Sequence, residues 1–311
     1  MILSVNLNPC IDKSVEVNGL RVGELNRCKP LRRDAAGKGL NVATAAKHLG
    51  ADAFSIGFNY SENGRLVTNL LEREGVPYDH VVVLGSLRTN LKLFDSVSGV
   101  YTDLNEPGAE VPPEALSDLR FRIRRRAERS QFVTLSGSVP NGVPMDIYRT
   151  LIEDVSQYDV RVVLDAENAL LREGIKAKPW MIKPNLSEME LLFERTYEQE
   201  EEIIKDARSL VEQGVELVCV SMGALGALLV SGQGVWKAEA VAGLQAKGFQ
   251  GAGDSMVAGI CVAAQKGLEL PEMLRYGVAA ASATIIREGT QMCAKQDFDR
   301  LLPQVRLHRL A

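Results

Sequence analysis

The sequence predicts an α/β fold: a mainly parallel sheet with helices on both faces and a small sheet projecting from it. Three observations carry that expectation. The second half alternates short β-branched runs with helical patterns, no internal repeat or Pro/Ser-rich linker divides the chain, and two stretches in the N-terminal half break the alternation.

Met1-Ile2-Leu3-Ser4-Val5 reads as a first strand, because no basic segment precedes its apolar residues as a secretion signal would require. Further strands are expected at Gln131 to Leu135, Val160 to Leu164, Met181-Ile182-Lys183, Leu217 to Val220 and Ala227 to Val230. Amphipathic segments at Gly39 to Leu49, Gly64 to Glu74, Pro144 to Ser156 and Glu200 to Gln213 supply covering helices, which right-handed crossovers place on both faces. Ligands then belong at the carboxyl ends of the strands.

Val15 to Leu31 and Leu84 to Leu104 read differently, as extended runs broken by turn-prone pairs such as Asn18-Gly19 and Ser98-Gly99. They predict hairpins without covering helices, serving either as a lid or as a protruding edge. No repeat or Pro/Ser-rich linker divides the chain, so residues 1–311 are expected to form one domain, with the excursion at about 12–33 and 84–106.

Composition narrows the function. With 46% hydrophobic and 24% charged residues the chain is neither disordered nor membrane-spanning, and its longest apolar runs, such as Val257 to Ala264, fall short of the roughly 20 residues a spanning helix needs. A cytoplasmic location follows as a default. Five scattered cysteines and three isolated histidines show no zinc or disulfide spacing. A net charge of −4 gives no global attraction to nucleic acid, and Arg120, Arg122, Arg124, Arg125, Arg126 and Arg129 read as the solvated face of a helix.

The most informative segment is Phe249-Gln250-Gly251-Ala252-Gly253-Asp254-Ser255, a glycine turn opening into an apolar helix. Its backbone N–H groups and the positive end of the helix dipole suit an anion, and Asp254 stands at the helix start. Asp is also a favoured capping residue, so capping and general-base chemistry both fit. Phosphoryl transfer needs donors around the transferring group and a base for the acceptor hydroxyl, and this segment supplies both. Other nucleotide motifs fail: Arg32 occupies the first glycine position of a P-loop ending at Gly37-Lys38, and Met256 occupies the last glycine position of a dinucleotide fingerprint.

Six ordered motifs then resemble the ribokinase-like carbohydrate kinases, in the group that contains 1-phosphofructokinase, tagatose-6-phosphate kinase and the minor 6-phosphofructokinase. They are Asn8-Pro9-Cys10-Ile11-Asp12, Ala36 to Ala43, Arg88-Thr89-Asn90-Leu91-Lys92, Ser136-Gly137-Ser138-Val139-Pro140, Lys183-Pro184-Asn185-Leu186-Ser187-Glu188 and Gly251-Ala252-Gly253-Asp254-Ser255. The resemblance runs nearly end to end and implies a ribokinase-like three-layer α/β/α core with a β-sheet lid. It implies that Asp254 is the base, that the amides of Gly251, Ala252 and Gly253 form the anion hole, and that Asp12, Gly37, Lys38 and Asn41 form the sugar pocket. Structural readings stand beside these: a turn alone for Gly37 and Gly39, and a helix cap alone for Asn41.

Arg88, Asn90 and Lys92 share one face of a strand, which alone would read as a charged edge. The resemblance makes Arg88 the ligand of the substrate's phosphate, with Asn90, Lys92 and Ser138 beside it. It also implies an ATP site at Lys183, Asn185, Ser221, Gly223 and Gly226 together with Gly251 and Gly253. Glu188 would organise Mg²⁺, through water, although a helix-start role is equally natural. The chain departs from the family at Gly248-Phe249-Gln250 and at Asp165-Ala166-Glu167-Asn168, where asparagine replaces a turn glycine.

The implied reaction is MgATP-dependent conversion of fructose 1-phosphate to fructose 1,6-bisphosphate. Tagatose-6-phosphate kinase is the alternative within the group, and a catalytically silent sugar-phosphate sensor is the alternative outside it. A homodimer through the lid sheets is also expected, since a small isolated sheet has little core of its own.

Overall fold

The computed structural model describes residues 1–311. Strand β1 (Ile2–Asn6) lies within the large sheet, one residue further along than the sequence suggests. The chain leaves it through β2 (Cys10–Val17) and β3 (Cys28–Ala36), then returns by helix α1 (Lys38–His48), β4 (Ala53–Glu62), α2 (Arg65–Arg73) and β5 (Tyr78–Ser86). A second departure, β6 (Arg88–Asp95) and β7 (Tyr101–Asn105), precedes α3 (Pro113–Ala127) and β8 (Phe132–Ser136). The alternation continues through α4 (Ile147–Val155), β9 (Arg161–Asp165), α5 (Asn168–Ile175), β10 (Met181–Ile182), α6 (Leu186–Phe193), α7 (Glu200–Glu212) and β11 (Leu217–Ser221). Strands β12 (Ala227–Ser231) and β13 (Gly234–Ala238), helices α8 (Ala252–Gln265), α9 (Leu270–Ile285) and α10 (Lys295–Leu301), and strand β14 (Leu307–Arg309) complete the chain.

The large sheet has ten strands in the order β14-β13-β12-β11-β10-β9-β8-β1-β4-β5. From β5 to β11 every pairing is parallel, and beyond β11 the pairings turn antiparallel. A parallel sheet must be covered on both faces. Successive residues of β1 show how: Leu3 and Val5 enter an apolar cluster with α3, α4 and α7, whereas Ile2 enters another with α1, α8 and α9.

The two departures fuse into one projecting sheet, β3-β2-β6-β7, because β6 lies parallel to β2. The expected turns at Asn18-Gly19 and Ser98-Gly99 form with both glycines at positive φ. The strands outrun the expected limits, however: β2 and β3 extend over Cys10 to Ala36, and Leu84 belongs to β5 of the large sheet. The continuous Val81-Val82-Val83-Leu84 run concealed that boundary, since periodicity does not separate one extended strand from the next. The projecting sheet buries only Val15, Val17 and Leu93 as a core of its own.

The basic cluster lies on α3 and its charge is largely answered within the fold. Arg120 pairs with Asp154, Arg122 with Asp79 and Asp118, and Arg126 stacks over Phe54. No helix is long and apolar enough to cross a membrane.

Candidate active site

Gly251 opens α8 in the left-handed conformation, with φ 75°. A side chain there would be strained, and its Cβ would come within 2.3 Å of the Met292 methyl carbon. Asp254 lies in the first turn, buried, but it does not cap α8: no side chain caps this helix. Instead its Oδ2 accepts from Asn41 Nδ2 at 2.8 Å. The capping explanations for Asp254 and for Asn41 both fall with that bond, because the two side chains are committed to each other.

Helix α1 brings Asn41 there by packing its first turn against β1. A Cβ on Gly39 would lie 2.4 Å from the Val5 carbonyl oxygen, so only glycine allows the approach. Lys38, one residue earlier, points its ammonium to Asp165 Oδ1 at 3.5 Å. Lys183 reaches the same oxygen at 3.3 Å, and Asp165 Oδ2 is buried without a partner. Burial resists ionisation of Asp165, yet the two ammonium groups outweigh it and hold its carboxyl below the usual range. Lys38 is pushed up, chiefly by Asp165 and then by Asp254 and Glu188.

Asp254 moves the other way, up to about 6, because burial penalises its charge and Asp165 repels it, while Lys38 and the Asn41 hydrogen bond partly compensate. A carboxyl poised there is ionised at neutral pH yet basic enough to take a proton. Lys183, expected beside the nucleotide, also faces the glycine turn: its Nζ would lie 3.2 Å from a Cβ on Gly253.

On the projecting sheet, Arg88, Asn90 and Asp12 form a ladder. Arg88 Nη1 donates to Asn90 Oδ1 at 3.1 Å, and Asn90 Nδ2 donates to Asp12 Oδ1 at 3.2 Å. Asp12 is raised by burial, with Lys92 opposing. Arg88 is further fixed by the carbonyls of Glu106 and Asn8, at 2.9 and 3.2 Å. Lys92 keeps to the same strand but its ammonium is taken by Asp103 at 2.8 Å, so it is not a second free cation.

Between the sheets is a cleft of about 140 Å³ lined by polar residues, among them Gly37, Lys38, Arg88 and Ser138. Four of its lining atoms are buried without a partner: Asn6 Nδ2, Asn8 Oδ1, Ser136 Oγ and Arg88 Nε. Buried polar atoms in a folded protein are rarely orphaned, so the cleft is built to receive polar groups. Asn8 Nδ2 donates to Ser138 Oγ at 3.1 Å across it.

Asn185 and Glu188 form a reciprocal capping box at the start of α6, with bonds of 2.7 and 2.8 Å. The helix-start role of Glu188 is therefore realised. Glu188 is nevertheless buried and raised, by burial first and by the charge of Asp165 second. Ser221 ends β11 and bridges to Asn185, and the short helical turn Gly223–Leu225 that follows opens at Gly223 and is closed by Gly226. No three His, Cys, Asp or Glu side chains converge into a metal cage. Asn168, which ends the Asp165-Ala166-Glu167-Asn168 turn, adopts the expected left-handed conformation with φ 52°.

Asp165, Asn6, Asn8, Ser136 and Glu167 are site residues that sequence reasoning gave no role. The available signal was positional: Asn6, Ser136 and Asp165 end three neighbouring parallel strands, where ligands of such sheets bind.

A buried carboxylate facing two lysines and an amide-rich helix start is equipped to move a phosphoryl group, since the donors meet negative charge and the carboxylate takes a hydroxyl proton. Fold and site together define a phosphotransferase. The chain belongs to the pfkB family of carbohydrate kinases, whose family model matches residues 5–297. It is 34% identical to the 1-phosphofructokinase of Bacillus subtilis, covering 100% of both chains. It is 32% identical to the D-tagatose-1-phosphate kinase of Bacillus licheniformis, covering 96% of each. Among solved structures, phosphofructokinase-2 from Escherichia coli in complex with substrates and products superposes with a TM-score of 0.90 at 28% identity, covering 97% of this chain and 98% of that one. The same Escherichia coli protein has also been solved in a tetrameric inhibited form, which superposes with a TM-score of 0.88 at 27% identity, covering 97% of this chain and 98% of that one.

Proposed function

We propose that this kinase transfers the γ-phosphoryl group of ATP to the free terminal hydroxyl of fructose 1-phosphate, giving fructose 1,6-bisphosphate and ADP. The observation that carries the reading is the Asp254 carboxylate, held by Asn41 beside the Gly251 turn. The hydroxyl oxygen attacks phosphorus, the bond to the ADP oxygen breaks, and the hydroxyl proton passes to Asp254. The amides of Gly251, Ala252 and Gly253, with Lys38 and Lys183, meet the charge on the transferring group. Arg88 and Ser138 hold the phosphate already present, while Asp12, Asn90, Asn41 and Gly37 hold sugar hydroxyls. Asn185, Ser221, Gly223 and Gly226 hold the nucleotide.

Mg²⁺ would screen the nucleotide phosphates. The residues fit an ion carried mostly by phosphate oxygens and water, because Glu188 spends one oxygen on the Asn185 N–H and no protein cage exists. The mutual repulsion of Asp165 and Glu188 is the deficit a nearby cation would relieve. Dependence on ATP and five free thiols suit a reducing, cytoplasmic setting.

The second reading, tagatose 1-phosphate as acceptor, is favoured by the similarity to the Bacillus licheniformis enzyme. An ADP-release assay over fructose 1-phosphate, fructose 6-phosphate, tagatose 1-phosphate and tagatose 6-phosphate decides between them. The highest kcat/KM is expected for fructose 1-phosphate; a higher value for another ketose phosphate transfers the assignment to it. Binding by calorimetry without any ADP formation would instead identify a sensor.

The loop between β2 and β3 exposes Val22 and Leu25, at 94% and 73%, beside a projecting sheet whose own core is three residues. Two such sheets meeting in a homodimer would cover them. Sedimentation at the mass of a single chain would reject that assembly.

A further inference from the structure

A second cleft, of about 450 Å³, lies where β3, α1, α2 and the segment after α9 meet. Four arginines line it, Arg32, Arg33, Arg73 and Arg287, against the carboxylates of Asp34 and Glu74. The arginines come from three separate elements; Arg32 and Arg33 are consecutive on β3 and leave opposite faces of it, and Arg32 is the one that turns toward the segment after α9, where its guanidinium lies against Gly289. Arg32 and Arg73 are answered by Asp34 and Glu74. Arg287 is the least answered of them: it reaches Asp297 only at 3.6 Å, and its Nε is buried without a partner.

A further orphan points to a ligand. Thr44 lines the cleft, its residue is only 5% exposed, and its hydroxyl has no hydrogen-bond partner. Helical threonines usually return that hydroxyl to a carbonyl one turn back. Leaving a buried hydroxyl unpaired costs about 1–3 kcal/mol, a cost an incoming acceptor would remove. Planar guanidinium forks match phosphate oxygens, and the cleft volume falls within the range of small-ligand sites, about 300–1,000 Å³.

Two of its walls are shared with the catalytic centre. Asn41 lines the cleft and donates to Asp254. Met292 lines it and packs against Gly251 of the amide turn. Arg32 also donates to the Glu288 carbonyl at 3.2 Å, tying the base of the projecting sheet to the segment that carries Met292.

We infer that this cleft binds a small anion bearing two or more phosphate charges, separately from the phosphosugar and the nucleotide, and that occupancy is transmitted to Asp254 through Asn41 and to the amide turn through Met292. The probe is inorganic pyrophosphate, titrated by calorimetry at fixed free Mg²⁺. The full chain is first saturated with a non-hydrolysable ATP analogue and with the ketose phosphate that the ADP assay selects. One pyrophosphate per chain should bind with a Kd below about 1 mM. Arg287→Gln and Thr44→Val should each weaken it at least about tenfold, with turnover in the absence of pyrophosphate unchanged. Pyrophosphate should change kcat/KM of the wild type and not of Arg287→Gln. No heat from the saturated enzyme, equal Kd values in wild type and both variants, or an unaffected kcat/KM would overturn the inference. The ADP assay tests the substrate assignment and the binding readout needs no turnover, so failure of one is distinguishable from failure of the other.

Discussion

Asn41 Nδ2 and Asp254 Oδ2 meet at 2.8 Å, joining residues 213 positions apart in the chain. The bond orients the proposed base, whose pKa of about 6 is the net of burial and Asp165, which raise it, and of Lys38 nearby, which lowers it. Below that pH the carboxyl is protonated and no longer accepts the hydroxyl proton, so kcat/KM should fall about tenfold per pH unit on the acid side. Lys38→Met removes a stabilising charge and should move this limb to higher pH. A pH–rate profile of both proteins is the measurement, and an unmoved limb would detach it from Asp254.

Asp254→Asn separates catalysis from stability. Loss of the base should reduce kcat by on the order of 10² to 10⁴. The folded-state pKa lies above the unfolded one, so protonation favours the fold: that contribution is full below the ordinary aspartate range and is lost as pH rises through about 6. The neutral amide escapes the loss. At about pH 8 the variant should therefore be more stable than wild type by on the order of 1–3 kcal/mol, measured by denaturant unfolding.

The chemistry of this site was legible where it was local and hidden where it was distant. The Gly251 to Asp254 turn declares an anion site by its own residues, and the alternation after Gln131 declares the sheet. Nothing near Asp165 announces that lysines 127 positions before it and 18 after it converge on one of its oxygens. The partner of Lys183 is hidden for the same reason, since it is reached only through the order β9-β10 in the sheet. Lys92 shares a face with Arg88 as the period of two requires, but the neutralising Asp103 comes from the paired strand β7. Alternation fixes the face of a side chain and says nothing of its cross-strand neighbour.

Asp165→Asn should be costly. It leaves Lys183, buried with only 4% exposure, beside Lys38 without a counter-charge. Breaking a buried ion pair in this way costs on the order of 3 kcal/mol. The folded pKa of Asp165 is depressed, so its contribution is present above the ordinary aspartate pKa and disappears as pH falls through the folded value. The stability gap between wild type and variant should close in strong acid, which urea unfolding across pH would show. A gap that persists unchanged would assign the loss to packing.

The two glycines of the turn should respond differently. Gly251→Ala meets both a positive φ of 75° and the Met292 methyl carbon at 2.3 Å, so it should lower stability as well as turnover. Met292→Ala in the same chain would relieve the contact and leave about 1–2 kcal/mol of backbone strain. Gly253→Ala carries no such strain, and its nearest neighbour is Lys183 Nζ at 3.2 Å. It should fold nearly as wild type while kcat falls, because the methyl group displaces the ammonium from the anion hole. Thermal unfolding compared with kcat for the three variants tests the distinction.

Arg88 offers the sharpest test of the sugar-phosphate side. Its guanidinium is held by Asn90 and by the Glu106 and Asn8 carbonyls, so the fork is positioned before substrate arrives, and its orphaned Nε faces a polar cleft. Arg88→Ala should raise KM for the ketose phosphate by about 10- to 100-fold, the scale of a charge-assisted hydrogen bond, and leave KM for ATP nearly unchanged. Arg88→Lys keeps the charge but cannot span the same three acceptors with a planar fork, so it should recover little of the loss. Full recovery by lysine would show that charge alone holds the phosphate, and equal losses for both substrates would mean that Arg88 positions the projecting sheet and does not bind the phosphosugar.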